Sequence, residues 1–317
     1  DIGYTMAFGE LVIEKLNSAL TANDKLPSSL GVNTAKPIEI NIFCNDFDAK
    51  QAVVVHKPSE LRGNMRRLGL ELSTTEVSNP EEYENSPVSA LNADSQTVIK
   101  GILDFVLEYD HEKMRWDNSV FLNYGKTKLK PHNEVAETTE NEDKILLTSD
   151  YTYKLFKVRN LDLGPFASIA YQTEFTRNED APRMKVFRGK AGAKLLSGKI
   201  IKELYVAGVG EYDITYSDEK TTKFALETGW RLEYDMREGV KVSTDGYFRK
   251  YLAYSQYVGT DLKYDLSLTA RMDVNVTTNL TFGPYLSYRQ AQSREAGKKG
   301  SNLMLGLSLA YKDLYQL

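Results

Sequence analysis

The chain has 317 residues, enough for one barrel with an added segment or for two small soluble domains, and its 40 basic and 44 acidic side chains leave a net charge of −4. That balance argues against nucleic acid, whose binding domains carry a basic face. A single cysteine, Cys44, excludes an internal disulfide and argues against a thiolate metal cluster, while a mean hydropathy of −0.43 and the lack of any long apolar run exclude a transmembrane helix.

Residues 1–60 differ in texture from the rest. Opening at Asp1 without a basic and apolar leader, the chain reads as a mature protein whose signal peptide has been removed. Leu11, Val12, Leu16, Ala19 and Leu20 fit a short amphipathic helix over 7–20. A connector rich in Pro, Gly, Ser and Asn follows over 25–36, and Ile38, Ile40, Ile42 and Cys44 alternate as in one strand. The expectation is a short α/β or irregular segment over 1–60, either periplasmic or a plug, ahead of a second domain over 61–317.

From about Met65 apolar and polar residues alternate, which is the period of a half-buried strand. Strands are expected at 65–74, 97–109, 113–125, 144–157, 162–176, 183–197, 201–216, 221–235, 239–253, 258–273, 278–292 and 300–312. Four make the case. Phe187 to Leu195 and Val206 to Ile214 alternate apolar or small residues with Arg188, Lys190 and Lys194, and with Glu211 and Asp213. Phe224, Leu226, Trp230, Leu232 and Tyr234 oppose Lys223, Glu227, Arg231 and Glu233. Leu262, Tyr264, Leu266, Leu268 and Met272 oppose Asp261, Lys263, Asp265, Arg271 and Asp273. Connections near 110–112, 158–161, 198–200, 236–238 and 274–277 are tight. Those at 75–96, 126–143, 177–182, 217–220, 254–257 and 293–299 are mostly longer and more polar. Twelve strands with short turns at one end and loops at the other predict an all-β, antiparallel transmembrane barrel of the outer membrane.

Tyrosine supports this. Of the 20 tyrosines, all but Tyr4 and Tyr83 lie from Tyr109 onward. Interfacial girdles take rings with one apolar body and one wet hydroxyl. The expected girdle residues are Trp116, Tyr124, Tyr171, Trp230, Tyr234, Tyr264, Tyr288 and Tyr311. A tyrosine-rich soluble β-sandwich is the alternative. Leu305, Leu307, Leu309 and Tyr311 approach a C-terminal insertion signal, except that Met304 sits at a usually polar place and Lys312 to Leu317 follow the aromatic.

Beyond the class, Trp116-Asp117-Asn118-Ser119, Asn123-Tyr124-Gly125, Asp143-Lys144, Gly164-Pro165-Phe166 and Tyr257-Val258-Gly259-Thr260-Asp261-Leu262 resemble an uncharacterised outer-membrane barrel family of epsilonproteobacteria such as Campylobacter. The resemblance covers roughly two thirds of the chain. It implies location and fold, with outer-membrane lipid and lipopolysaccharide as surroundings, and no established activity.

The sequence holds no recognisable catalytic constellation. No His-x-Ser pair follows His56, His111 or His132, so the hydrolase pattern of outer-membrane phospholipases is missing. Glycines at 189, 192, 208 and 210 sit mid-strand rather than at a phosphate-cradling turn. Glu140, Glu142 and Asp143 lack EF-hand spacing. The sequence thus predicts no enzyme, cofactor or metal, a lipid hydrolase being the least favoured alternative. What remains is the predicted lumen. The inward charges named above other than Lys223 and Asp273 form, with Asp245, Arg249 and Arg289, the expected pore lining, and Lys100, Asp104, Glu108, Asp117, Asp150, Lys223, Lys241 and Asp273 share its face. Such a lumen serves either a diffusion channel for polar or charged solutes or a salt-bridged, closed interior. The second alternative is a non-conducting assembly protein that docks an envelope partner through residues 1–60.

Overall fold

In the computed structural model the described residues are 59–83, 91, 97–129, 137–176, 182–216, 219–256, 259 and 261–317. The expectations for 1–58, including the helix, the strand at 38–44 and the plug or periplasmic role, lie outside them. Alternating sequence becomes extended chain throughout: β1 Glu60–Ser78, β2 Thr97–Asp110, β3 Met114–Leu129, β4 Glu137–Tyr153, β5 Phe156–Val158, β6 Leu161–Thr173, β7 Val186–Leu196, β8 Ile201–Asp213, β9 Thr221–Arg237, β10 Val240–Tyr254, β11 Leu262–Asn275, β12 Leu280–Ser293 and β13 Gly300–Gln316. All pairings are antiparallel. β1 pairs with both β2 and β13, and β4 pairs with β6, so twelve long strands close on themselves. Closure leaves no edge of unpaired N–H and C=O groups. The three-residue β5 continues the wall past the end of β4, against Leu161–Leu163 of β6.

Three stretches differ from expectation. β1 begins at Glu60 rather than 65. The expected polar loop at 126–143 is in large part a hairpin, because β3 runs to Leu129 and pairs there with Glu137. Finally, the residues after Tyr311 are wall and not tail: β13 continues to Gln316, opposite Arg62, and the Leu317 amide donates to the Leu61 carbonyl at 3.0 Å. Backbone groups near a bilayer must be paired, and extending the ladder is the cheapest way to do it.

The burial pattern is the reverse of a water-soluble core. Glu71 and Glu227 are 1% exposed, whereas Leu70 and Ile169 are 63% and 69% exposed. Along β1, Leu68, Leu70 and Leu72 project outward while Glu71, Ser73 and Thr75 are buried inside. In water the outward Leu, Ile, Val and Phe side chains would form an apolar patch far larger than monomers tolerate. In lipid they are the stabilising face, and the strand period places the charges in the interior. Among the described residues no helix is long and apolar enough to cross a membrane, which for a barrel says nothing.

At the short-turn end, Glu238 and Gly239 make a two-residue hairpin between Arg237 and Val240, with Gly239 at φ 73°. An L side chain at that φ is strained by about 1–2 kcal/mol. Gly239→Ala should therefore destabilise the barrel by about 1 kcal/mol, and Gly239→Asn by less. Urea unfolding of the refolded variants in detergent micelles checks this; equal stability of all three would remove the turn from the account. At the long-loop end the Tyr83 ring lies against Gly300, and its hydroxyl donates to the Lys298 carbonyl at 2.7 Å. Tyr83 packs there with Leu91, Leu262 and Ala291.

Two bulges matter for the interior. Between Met65 and Leu68 the register of β1 slips against both neighbours, leaving Arg66 as an extra residue. Between Leu262 and Tyr264 the same happens at Lys263. A bulge re-aims the side chains on either side of it. One bulge brings an unexpected arginine inward, and the other turns an expected lysine out.

Candidate functional site

The barrel encloses a cavity of about 1830 Å³. It is lined near the long-loop end by Asp143, Glu174, Thr215 and Glu219, and near the short-turn end by Arg62, Gly198, Asn279 and Asp313. The lining is therefore continuous from end to end among the described residues.

Fifteen residues were expected to line it, and the structure divides them. Asp213, Arg231, Glu233, Asp245, Asp261, Arg271 and Arg289 face the cavity. Arg188, Lys190, Lys194, Glu211, Glu227, Arg249 and Asp265 point inward as well but are packed into the wall behind it, tied to one another or to nearby groups. Arg188 binds Glu211 at 2.7 Å, and Glu211 also meets Arg249 at 3.4 Å. Arg249 grips Glu227 through Nε at 2.6 Å and an Nη at 2.5 Å, and Lys190 joins the same carboxylate. Tyr205 donates its hydroxyl to Glu227 at 2.6 Å, its ring lying where a side chain on Gly229 would be. Lys194 bridges Asp150 at 2.7 Å and Glu203 at 3.0 Å. Asp265 takes Arg289 at 3.0 Å and the Tyr247 hydroxyl at 2.8 Å. Charges desolvated this deeply persist because each carboxylate is met by several donors.

Lys263 is a correction. Strict alternation puts it inside, but the bulge expels it: Lys263 is exposed, and Leu262 takes the inward place beside Tyr83.

Beyond the expected lining, several further charges turn inward. Glu71, buried on β1, binds Lys100 at 3.2 Å and also Arg271, three strands away around the wall. Arg67 crosses to Asp273 at 2.9 Å, where Lys312 joins at 2.5 Å. Arg62, Arg66 and Arg115 converge on Glu108 at 3.2, 3.3 and 3.2 Å, and Asn64 adds a hydrogen bond at 3.0 Å. Glu203 shares the parity of Glu211 and was legible. Arg66 was not, because two adjacent arginines cannot both face inward without the bulge.

The expected girdle residues stand on the outer face. Trp116 and Tyr234 are exposed near the short-turn end, and Tyr311 there donates to Asp313 at 2.6 Å. Towards the loop end Tyr124 meets Phe175 edge-on, Tyr171 tilts against Phe187, and Tyr264 and Tyr288 share Gln290. Trp230 lies further into the wall, its indole N–H donating to Thr244 at 3.4 Å.

Outside the lumen the described residues assemble little chemistry. His111 accepts from the Lys113 amide at 3.3 Å within its turn. Asp143 is occupied with the Phe175 and Thr176 amides at 2.6 and 2.9 Å. Among the described residues no group of His, Cys, Asp and Glu could hold a metal.

A closed antiparallel wall, apolar outside and ion-paired inside, with aromatic residues at both ends of its outer face, defines a β-barrel of the bacterial outer membrane. A family model described as "Protein of unknown function (DUF3078)" matches residues 90–178. No curated protein matches. Solved structures of similar fold include an outer membrane channel from Pseudomonas putida F1, at 11% identity over 81% of this chain and 97% of that one, with a TM-score of 0.45. Outer membrane phospholipase A from Escherichia coli is 11% identical over 77% and 92%, with a TM-score of 0.41. The outer membrane channel DcaP of Acinetobacter baumannii is 9% identical over 80% and 97%, with a TM-score of 0.39.

Proposed function

We propose that this barrel is a passive channel for small polar or charged solutes. The single observation that carries the reading is the end-to-end cavity, which is lined by charged and polar side chains rather than filled by apolar ones. A wetted, charged lumen lets ions and polar solutes exchange hydration for side-chain contacts as they pass. The test is conductance in a planar bilayer with the full-length protein in concentrated KCl. Discrete current steps are expected; a flat trace at all voltages rejects the channel.

A second reading draws on the wall cluster around Glu227. Its close-packed ion pairs are what a closed structural barrel would use, and such a barrel would act by docking an envelope partner, with residues 1–60 as the expected contact. A silent bilayer together with a co-purifying envelope protein would favour it. The resemblance noted above further suggests membership of the epsilonproteobacterial barrel family; matching relatives along 61–317, rather than 90–178 alone, would support that.

A further inference from the structure

Four charges at one height of the lumen are less well satisfied than those around them. Arg66 is the extra residue of the β1 bulge, and its one salt bridge goes to Glu108, a carboxylate that Arg62 and Arg115 also hold. Arg62 has Glu60 besides, and Arg115 has Asp117. Arg66 forms no second salt bridge among the described residues, although the Asp104 carboxylate lies within electrostatic reach of it. Across the cavity on β9, Arg231 reaches only Glu203 among the described residues, at 3.5 Å, and its Nε is buried without a hydrogen-bond partner there.

The acids tell the complementary story. Asp104 lies directly opposite Arg67 in the β1–β2 ladder, and Asp245 directly opposite Arg231 in the β9–β10 ladder. Directly opposed unlike charges normally pair. Here neither does: Arg67 turns to Asp273 and Arg231 to Glu203, so Asp104 and Asp245 form no salt bridge among the described residues. Both face the cavity, and so do both arginines.

Like charges face each other across the space. Arg66 and Arg231 lie within electrostatic reach and repel, and so do Asp104 and Asp245, while Asp104 also attracts Arg66 and the guanidinium groups of Arg271, Arg231 and Arg67 attract Asp245, so charges of both signs alternate around the same space. β1 and β9 are five strands apart around the wall, as are β2 and β10, so each pair spans the lumen. An anionic group between the arginines relieves one repulsion, and a cationic group between the aspartates relieves the other. A solute of one sign relieves a single pair and worsens its neighbour.

We propose that this bracket of Arg66, Arg231, Asp104 and Asp245 is a binding step for small zwitterions, solutes that carry one carboxylate and one ammonium group. The proposal rests on the channel reading and names its solute class. The bracket holds two charges of each sign, so it discriminates weakly between K⁺ and Cl⁻ while favouring amino acids and dipeptides over sugars.

The test is swelling of proteoliposomes that contain the full-length protein, comparing glycylglycine with arabinose, a neutral solute of similar size. Glycylglycine should enter several-fold faster. Arg66→Gln and Asp245→Asn should each bring that ratio to unity, and in a KCl gradient they should move the reversal potential in opposite directions, towards cation selectivity for the first and anion selectivity for the second. Asp245 has no ion pair to lose among the described residues, so its variant keeps the fold even if Arg66→Gln does not. A wild-type ratio of one with arabinose still entering overturns the zwitterion step and leaves the channel standing. A preference that survives both substitutions places it elsewhere and also overturns the bracket. If arabinose does not enter and no current flows, the channel fails and this step fails with it.

Discussion

Glu227→Leu should destabilise the barrel by about 3–5 kcal/mol, the cost of leaving buried charges uncompensated. Glu227 is 1% exposed and accepts from Arg249, Lys190 and Tyr205. Without it, two buried cations confront each other and Arg188 lies close by. Glu211, at 3.4 Å from Arg249, is already committed to Arg188 and compensates only in part. The double variant Glu227→Leu/Arg249→Met should recover a good part of the loss, since it removes one cation with the carboxylate. Equilibrium urea unfolding in lipid vesicles, followed by tryptophan fluorescence, measures both. A loss below about 1 kcal/mol would mean that lumen water screens this cluster as it screens a surface pair.

The same cluster shows where reading the sequence stops. Each of its charges was legible as inward, because a strand has a period of two and Phe224, Leu226 and Tyr234 fix which parity faces out. Whether a charge lines the cavity or is packed behind it was not legible. That depends on its partner, and partners are set by ladder register and by the tilt of the wall: Glu71 meets Arg271 across 200 positions of chain. Bulges break parity without leaving a signature, as Arg66 and Lys263 show in opposite directions. The stretch 126–143 reads as a loop because its composition is polar, although the chain pairs there as β3 and β4. Polar strands beyond the lipid band have no outward apolar row to announce them.

Leu70→Arg should cost about 2–4 kcal/mol, whereas Ser243→Arg should change stability by less than about 1 kcal/mol. Leu70 stands near the middle of β1 on the outer face, 63% exposed, paired with Leu309 on one side and Gly101 on the other. A guanidinium there has no lipid-side partner and must reach for the interface. Ser243 lines the cavity, where an added cation finds water and the Glu233 carboxylate on β9, which offset the repulsion from Arg271 opposite it on β11. The two positions thus take the same substitution on opposite faces of one wall, and unfolding of both variants from lipid vesicles compares them directly. In a water-soluble sandwich the order would invert, because an exposed leucine replaced by arginine is close to neutral and a crowded interior serine is not. A mean hydropathy of −0.43 cannot separate these cases. Averaging merges the two parities, and the membrane acts on only one of them.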